Sequence, residues 1–177
     1  IMSSGLSINQ VGNCSEASFA VIVPMYNEVV GAEAFVRSVI PVINDLPQCR
    51  GLIIVDDGSA DGTGDILDFL CESIPEMTVL RHKANAGYGA GLVTGARCAA
   101  DRGCDYALFM DSDLTNPPGH IGRFVPFMEQ GFDLIKGCRY CPGGGVDGVP
   151  RIAYWISRIG NLIAGLLFGG GVRDSTN

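Results

Sequence analysis

Two aspartates one residue apart, Asp111-Ser112-Asp113, stand directly behind the apolar run Tyr106–Met110 and ahead of Asn116-Pro117-Pro118. Carboxylates spaced i, i+2 at a strand end share one side, so one can bind a divalent cation directly and the other directly or through water. Hard oxygen ligands point to Mg2+ or Mn2+. A bare D-x-D is common and also describes two solvated turn aspartates; the buried strand before it and the helix start after it favour the metal reading. A second acidic pair, Asp56-Asp57, follows Leu52–Val55 and puts at least one carboxylate at a strand tip, where it can accept from a base N–H, while Gly58 permits the turn. The stretch Lys83–Gly91 carries Asn85 and Gly87 among glycines that let backbone N–H groups approach a phosphate or ribose. It matches neither the dinucleotide G-x-G-x-x-G nor the P-loop pattern.

Charge decides which ligands fit such a site. The chain of 177 residues has a formal net charge of −7, which argues against a nucleic-acid partner, whose phosphates need a basic stripe. A nucleoside diphosphate meets the same repulsion from Asp56, Asp57, Asp111 and Asp113 unless a cation bridges them. Arg139 and Arg151 are candidates to add side-chain charge, on the same oxygens or on a phosphate of the acceptor. Seven cysteines, an odd number set mostly in apolar contexts, read as buried thiols in a reducing compartment. Cys138-Arg-Tyr-Cys141 lacks the second pair a zinc site needs, and His82 and His120 read as loop residues.

The elements that must position these groups alternate along the chain. Apolar runs at 19–23, 52–55, 77–80, 106–110 and 132–136 read as strands covered on both faces, each leading to a polar or glycine-rich turn. Helical spacing joins Ala32, Phe35, Val36, Val39, Ile40 and Ile43, with Pro41 expected to kink or break that helix. Asp61 or Thr63 can cap a second helix with Ile66, Leu67 and Leu70 inward. Gly87–Ala100 reads as a third helix of small residues, and Asn116 before two prolines starts a fourth that buries Ile121, Phe124, Val125 and Met128. The expectation is an α/β open, mostly parallel sheet in one domain over 19–177, preceded by a tail over 1–18 that does not resemble a signal peptide. In such sheets ligands bind beyond the carboxyl ends of the strands, where all the motifs above fall. Residues 151–171 read as an amphipathic helix, since Arg158 and Asn161 near its middle disfavour a membrane span. Its apolar face is assigned to the core by default, with contact to a membrane surface left open.

Together these motifs resemble glycosyltransferase family 2, the inverting GT-A-fold enzymes, and in particular its polyprenyl-phosphate branch. The resemblance rests on Val23-Pro-Met-Tyr-Asn-Glu28, Val55–Thr63, Asn85–Gly91, Asp111–Pro118, Ser157-Arg158 with Asn161, and Val172-Arg-Asp174. It implies that Pro24, Tyr26, Glu28 and Asp56 hold base and ribose and that Asp111 and Asp113 hold the metal. Asp57, Asn85, Gly87, Asp111 and Ser112 complete the expected nucleotide site. Arg139, Arg151 and Arg158 would bind phosphate, and Asp113, Arg139 and Asp174 form the expected catalytic set. Some relatives carry a glutamine metal ligand where Thr115 stands.

The implied reaction is in-line displacement at the anomeric carbon, with inversion, moving sugar from a GDP- or UDP-sugar to a polyprenyl phosphate of the dolichyl type. An ionised phosphate acceptor requires no strong general base, whereas a hydroxyl acceptor requires one, and Asp174 is then the best candidate. A transferase acting on a sugar or protein hydroxyl, and a domain that binds nucleotide sugar without turnover, are the alternatives. The resemblance further implies work at the cytosolic face of a membrane. The partial likeness of Asp57–Asp68 to a calcium loop fails on context, because an apolar strand precedes it and Asp68 replaces the closing glutamate.

Overall fold

The computed structural model describes residues 17–137. Arg139, Arg151, Arg158, Asp174, the Cys138–Cys141 pair and the amphipathic stretch over 151–171 lie outside the described residues. Backbone contacts divide the chain into two units, Ile1–Asp133 and Leu134–Asn177, and almost everything described belongs to the first.

Four strands form one wholly parallel sheet in the order β3-β2-β1-β4: β1 Phe19–Met25, β2 Cys49–Asp56, β3 Met77–Arg81 and β4 Tyr106–Phe109. Every residue of β1 is buried, as the continuous apolar run requires of a central strand between two layers of helix. Alternation splits its side chains between two cores. Ala20 and Ile22 join Ile53, Val55 and Ala99 in a cluster under helix α3, Tyr88–Asp101. Phe19, Val21 and Val23, with Leu52 and Ile54, all at 0% exposure, face the other way. On that side belong helix α1, Ala32–Asn44, with its buried Phe35, Val36, Val39 and Ile43, and helix α2, Thr63–Ser73, which packs on α1.

α3 owes its place to its small residues. A Cβ on Gly95 would collide with Ile22, and one on Gly91 would stand 3.0 Å from the Pro24 ring. The two glycines and Ala99, four apart, form the stripe on which the helix sits against β1 and β2.

Four expectations need correction. Pro41 does not break α1, which runs on to Asn44. Pro41 and Arg37 are both exposed, so the carbonyl that loses its N–H partner belongs to the solvent side of the helix near its end, where the cost of proline is lowest. The fourth helix is instead a 3-10 turn, Pro118–Arg123, followed by the short helix α4, Val125–Glu129, with Ile121, Val125 and Met128 buried and Phe124 only half-buried. The run Phe132–Lys136 is not a strand: Leu134 is 82% exposed, and among the described residues nothing pairs along the outer edge of β4. Ser18, placed in the tail, is part of the domain; its N–H and hydroxyl both donate to Asp105, at 2.9 and 2.8 Å.

Candidate active site

Because all four strands run the same way, their carboxyl ends lie along one edge, and the loops leaving them are fastened to one another in sequence. The β1 exit, Tyr26 to Val29, is tied to the β2 exit by side chains. Asn27 N–H donates to Ser59 Oγ at 2.9 Å, Glu28 N–H to Thr63 Oγ1 at 2.8 Å and Val29 N–H to Asp61 Oδ2 at 3.1 Å. In return, Ala60 N–H donates to Asn27 Oδ1 at 3.0 Å. Asn27 takes φ 55°, a left-handed conformation that asparagine tolerates better than most residues. Neither Asp61 nor Thr63 stands at the N-cap of α2, which is Gly62 with no side-chain cap bond; Asp61 Oδ1 instead accepts from both the N–H and the hydroxyl of Thr63, the first helical residue, at 3.0 and 2.6 Å, while Oδ2 holds the neighbouring loop. Tyr26 is left 46% exposed beside this braced backbone and Glu28 half-buried.

The acidic pair behind β2 is turned inward. Asp56, 1% exposed, accepts from Ser59 N–H at 2.9 Å on Oδ1 and from Arg81 Nε at 3.0 Å on Oδ2. Asp57, 3% exposed, accepts from Ala86 N–H at 2.9 Å, Gly87 N–H at 2.8 Å and His82 Nδ1 at 2.6 Å. Burial pushes the Asp57 carboxyl up, but the hydrogen bonds from Ala86, His82 and Gly87 together outweigh it and hold the group below the ordinary carboxylate range. Asp57 thus spends both oxygens on the glycine-rich loop and His82, as Asp56 spends its own on Ser59 and Arg81. Gly58, at φ 74°, lies so close under that loop that a Cβ would come within 2.6 Å of the Ala84 carbonyl carbon.

That loop carries the linkage on to β4. Asn85 Oδ1 accepts from Gly87 N–H at 3.1 Å, and Gly87, at φ 93°, turns the chain into α3. The first helical residue, Tyr88, donates its hydroxyl to Asp111 Oδ1 at 2.9 Å. Burial, then the bond to Asp111, pushes the phenol up to about 12. Ser112 is half-buried, and exposed Asp113 accepts the N–H and hydroxyl of Thr115 on Oδ1 at 3.0 and 2.8 Å. Among the described residues, Oδ2 of Asp111 and of Asp113 accepts no hydrogen bond and neither aspartate has an ion-pair partner. Two carboxylates with one uncommitted oxygen each fit a hard divalent cation that takes its remaining ligands from water and from the oxygens of a bound diphosphate. A third protein ligand is not at hand, since no group of three acidic, histidine or cysteine side chains gathers among the described residues.

The structure thus brings Pro24, Tyr26, Glu28, Asp56, Asp57, Asn85, Gly87, Asp111, Ser112 and Asp113 to one edge. Reading the residues alone passed over Arg81, His82, Thr94 and the hydroxyl of Tyr88. His82 bridges Asp57 and Thr94 Oγ1, the latter at 2.9 Å, and so ties the loop to the body of α3. The register Asp56↔Arg81 is the signal that could have found the first two: once β2 and β3 are aligned in parallel, Arg81 falls beside Asp56 and His82 beside Asp57.

An open parallel sheet with its polar loops braced along the carboxyl edge defines an open α/β domain, here with acidic loops rather than a P-loop at that edge. More narrowly, the chain belongs to glycosyl transferase family 2, whose model matches residues 20–174. It is similar to the polyprenol monophosphomannose synthase of Mycolicibacterium smegmatis, with 33% identity over 88% of this chain and 58% of that protein. It is also similar to the undecaprenyl-phosphate mannosyltransferase of Micrococcus luteus, with 30% identity over 88% of this chain and 62% of that one. The chain thus spans about three fifths of the length of these curated relatives. Among solved structures, a mannosyltransferase from Pyrobaculum calidifontis in complex with GDP-Man and Mn2+ shares 28% identity over 46% of this chain and 24% of its own, with a TM-score of 0.39. No helix among the described residues is long and apolar enough to cross a membrane.

Proposed function

We propose that this chain is the donor-binding catalytic core of an inverting glycosyltransferase that moves a sugar from a GDP- or UDP-sugar to a polyprenyl phosphate. The observation that carries the reading is the continuous set of hydrogen bonds from the Tyr26–Val29 loop, through Asp57 and the glycine-rich loop, to Asp111. It makes one preorganised edge of four separate loops, and at its β4 end Asp111 and Asp113 each keep, among the described residues, one carboxylate oxygen that accepts no hydrogen bond. The base and ribose lie along Pro24, Tyr26, Glu28 and Asp56, with Asp56 steadied by Arg81. Asn85 and Gly87 bring backbone to the ribose and phosphates, held there by Asp57. The diphosphate ends over Asp111, Ser112 and Asp113, and a divalent cation, Mg2+ or Mn2+, supplies the charge that lets this acidic edge accept it and that stabilises the departing diphosphate.

The acceptor half of the reading rests on the names of the two bacterial relatives and on residues outside those described. Arg139, Arg151 and Arg158 bind the acceptor phosphate, whose ionised oxygen attacks the anomeric carbon without a strong base, and Asp174 positions groups around it. A polyprenyl-phosphate acceptor goes with work at the cytosolic face of a membrane, where contact of residues 151–171 with the surface is open beside the default burial of their apolar face. A thermal-shift panel of GDP- and UDP-sugars with and without Mn2+, on the native protein and on Asp113→Ala, tests the donor half. The expected result is stabilisation by one nucleotide class that needs Mn2+ and is lost in the variant. Equal shifts with and without metal in both proteins refute the assigned site.

A further inference from the structure

The Tyr88 hydroxyl is the link between the glycine-rich loop and the carboxylate pair, and the donor reading counts it as part of the brace without giving it a role at the cation. Tyr88 opens α3 directly after Gly87, whose N–H is bound by Asp57 at 2.8 Å, so the phenol is carried on backbone held from behind. It reaches across from the β3 exit to donate to Oδ1 of Asp111 at 2.9 Å. Half of the side chain is exposed, so the contact is not forced by burial of the ring. A carboxylate at a loop start rotates about its terminal torsion at little cost, and a donor on one oxygen selects the rotamer that presents the other. Asp113 has the equivalent brace on its own loop, where Thr115 occupies Oδ1. Each metal-facing aspartate therefore has one oxygen held by a hydroxyl, but only Asp111 is held from a different strand exit.

We propose that Tyr88 is a positioning residue that presets Asp111 for the divalent cation and ties that carboxylate to the glycine-rich loop. The inference rests on the metal reading above, with Tyr88 acting through Asp111 rather than on the cation. Removing a hydrogen bond that orients a metal ligand typically costs 10- to 100-fold in metal affinity. Tyr88→Phe keeps the ring and removes only the donor, so the fold, followed by Tm in the absence of metal, is expected to be unchanged.

The test is Mn2+ binding to the protein without nucleotide, read from the loss of the free-ion electron paramagnetic resonance signal. Native protein, Tyr88→Phe and Asp113→Ala are compared, followed by donor KM and kcat for the first two. Binding by the native protein, an increase in Kd of roughly tenfold in Tyr88→Phe and near-complete loss in Asp113→Ala support the proposal. Its kinetic counterpart is a rise in donor KM at limiting Mn2+ that excess Mn2+ largely reverses. Equal Mn2+ affinity in the native protein and Tyr88→Phe, with Asp113→Ala impaired, overturns the role of Tyr88 and leaves the metal site standing. No Mn2+ binding by the nucleotide-free native protein overturns the presetting of Asp111 ahead of the donor, and binding untouched in Asp113→Ala overturns the metal reading itself.

Discussion

The exits of β2 and β4 each offer a close pair of aspartates, and the fold treats the two pairs in opposite ways. Asp56 and Asp57 are 1% and 3% exposed and are bound by arginine, histidine and three backbone N–H groups. Asp111 is half-buried and Asp113 exposed, each with one oxygen bound through a hydroxyl-bearing neighbour and one that accepts nothing among the described residues. A buried carboxylate whose partners all lie inside the chain serves to set geometry, because any vacancy there would cost the desolvation of an unmet charge. A carboxylate at the rim with spare lone pairs is poised for a partner from outside. Similar acidic pairs behind apolar strands thus have different work, and substitution should separate them.

The largest effect is expected at the rim pair, and on activity rather than stability. Asp113→Ala removes a proposed metal ligand and leaves the sheet untouched, so transfer should fall on the order of 100- to 1,000-fold, the scale for losing one electrostatic stabiliser of a leaving charge. Its Tm without ligand should stay within about 2 °C of the native value, because exposed substitutions generally cost under about 0.5 kcal/mol. A fall in Tm as large as the fall in activity would place Asp113 with the structural pair and erase the contrast.

The reverse is expected at Asp57. Asp57→Asn keeps the shape but turns an amide donor toward Ala86, Gly87 or His82, all of which donate to the carboxylate. A loss of about 1–3 kcal/mol in urea unfolding is expected, the range for leaving a buried hydrogen-bonding group unsatisfied. Acid should diminish that difference, and the sign follows from the lowered carboxyl. The folded state releases its proton more readily than the unfolded chain, so the stability supplied by Asp57 is complete above the ordinary value of 3.8 and is lost as pH falls through the lower folded value. Native protein and Asp57→Asn should therefore converge in stability below about pH 4, and a gap that widened with acid would contradict the assignment.

How far the sequence alone reaches follows the same division. Strand positions were legible because a parallel sheet covered on both faces needs continuous apolar runs, and four of the five expected strands formed. The run at 132–136 looks similar but carries Asp133 and Lys136, and its Leu134 stays 82% exposed; pattern alone cannot report that the run does not dock on the edge of β4. The acidic and glycine-rich motifs were legible because strand ends locate them. What each carboxylate touches was not, since Asp57 meets Gly87 and His82 only once β2 and β3 are in register and the loop folds back. Pro41 misled for a related reason: a proline's cost depends on whether the orphaned carbonyl faces core or water, and that depends on where the helix ends.

The smallest contrast is carried by two residues in left-handed backbone, Asn27 at φ 55° on the braced side and Leu114 at φ 58° between Asp113 and Thr115. At ordinary positions glycine is less stable than alanine by about 0.5–1 kcal/mol, but a Cβ in left-handed backbone costs roughly 1–2 kcal/mol. At both sites the glycine variant should therefore be the more stable of the two, by about 1 kcal/mol. Against the native protein the sites should part. Asn27→Gly gives up the bond from Ala60 N–H at 3.0 Å and should lose about 1 kcal/mol. Leu114, already 36% exposed, has no side-chain bond to lose, so relief of strain offsets the lost apolar contact and Leu114→Gly should stay within about 0.5 kcal/mol. Urea unfolding of the four variants reads both comparisons. Strain compensated by a side chain on one loop and left uncompensated beside Asp113 on the other fits a brace and a working site, and a loss at Leu114→Gly equal to that at Asn27→Gly would remove the distinction.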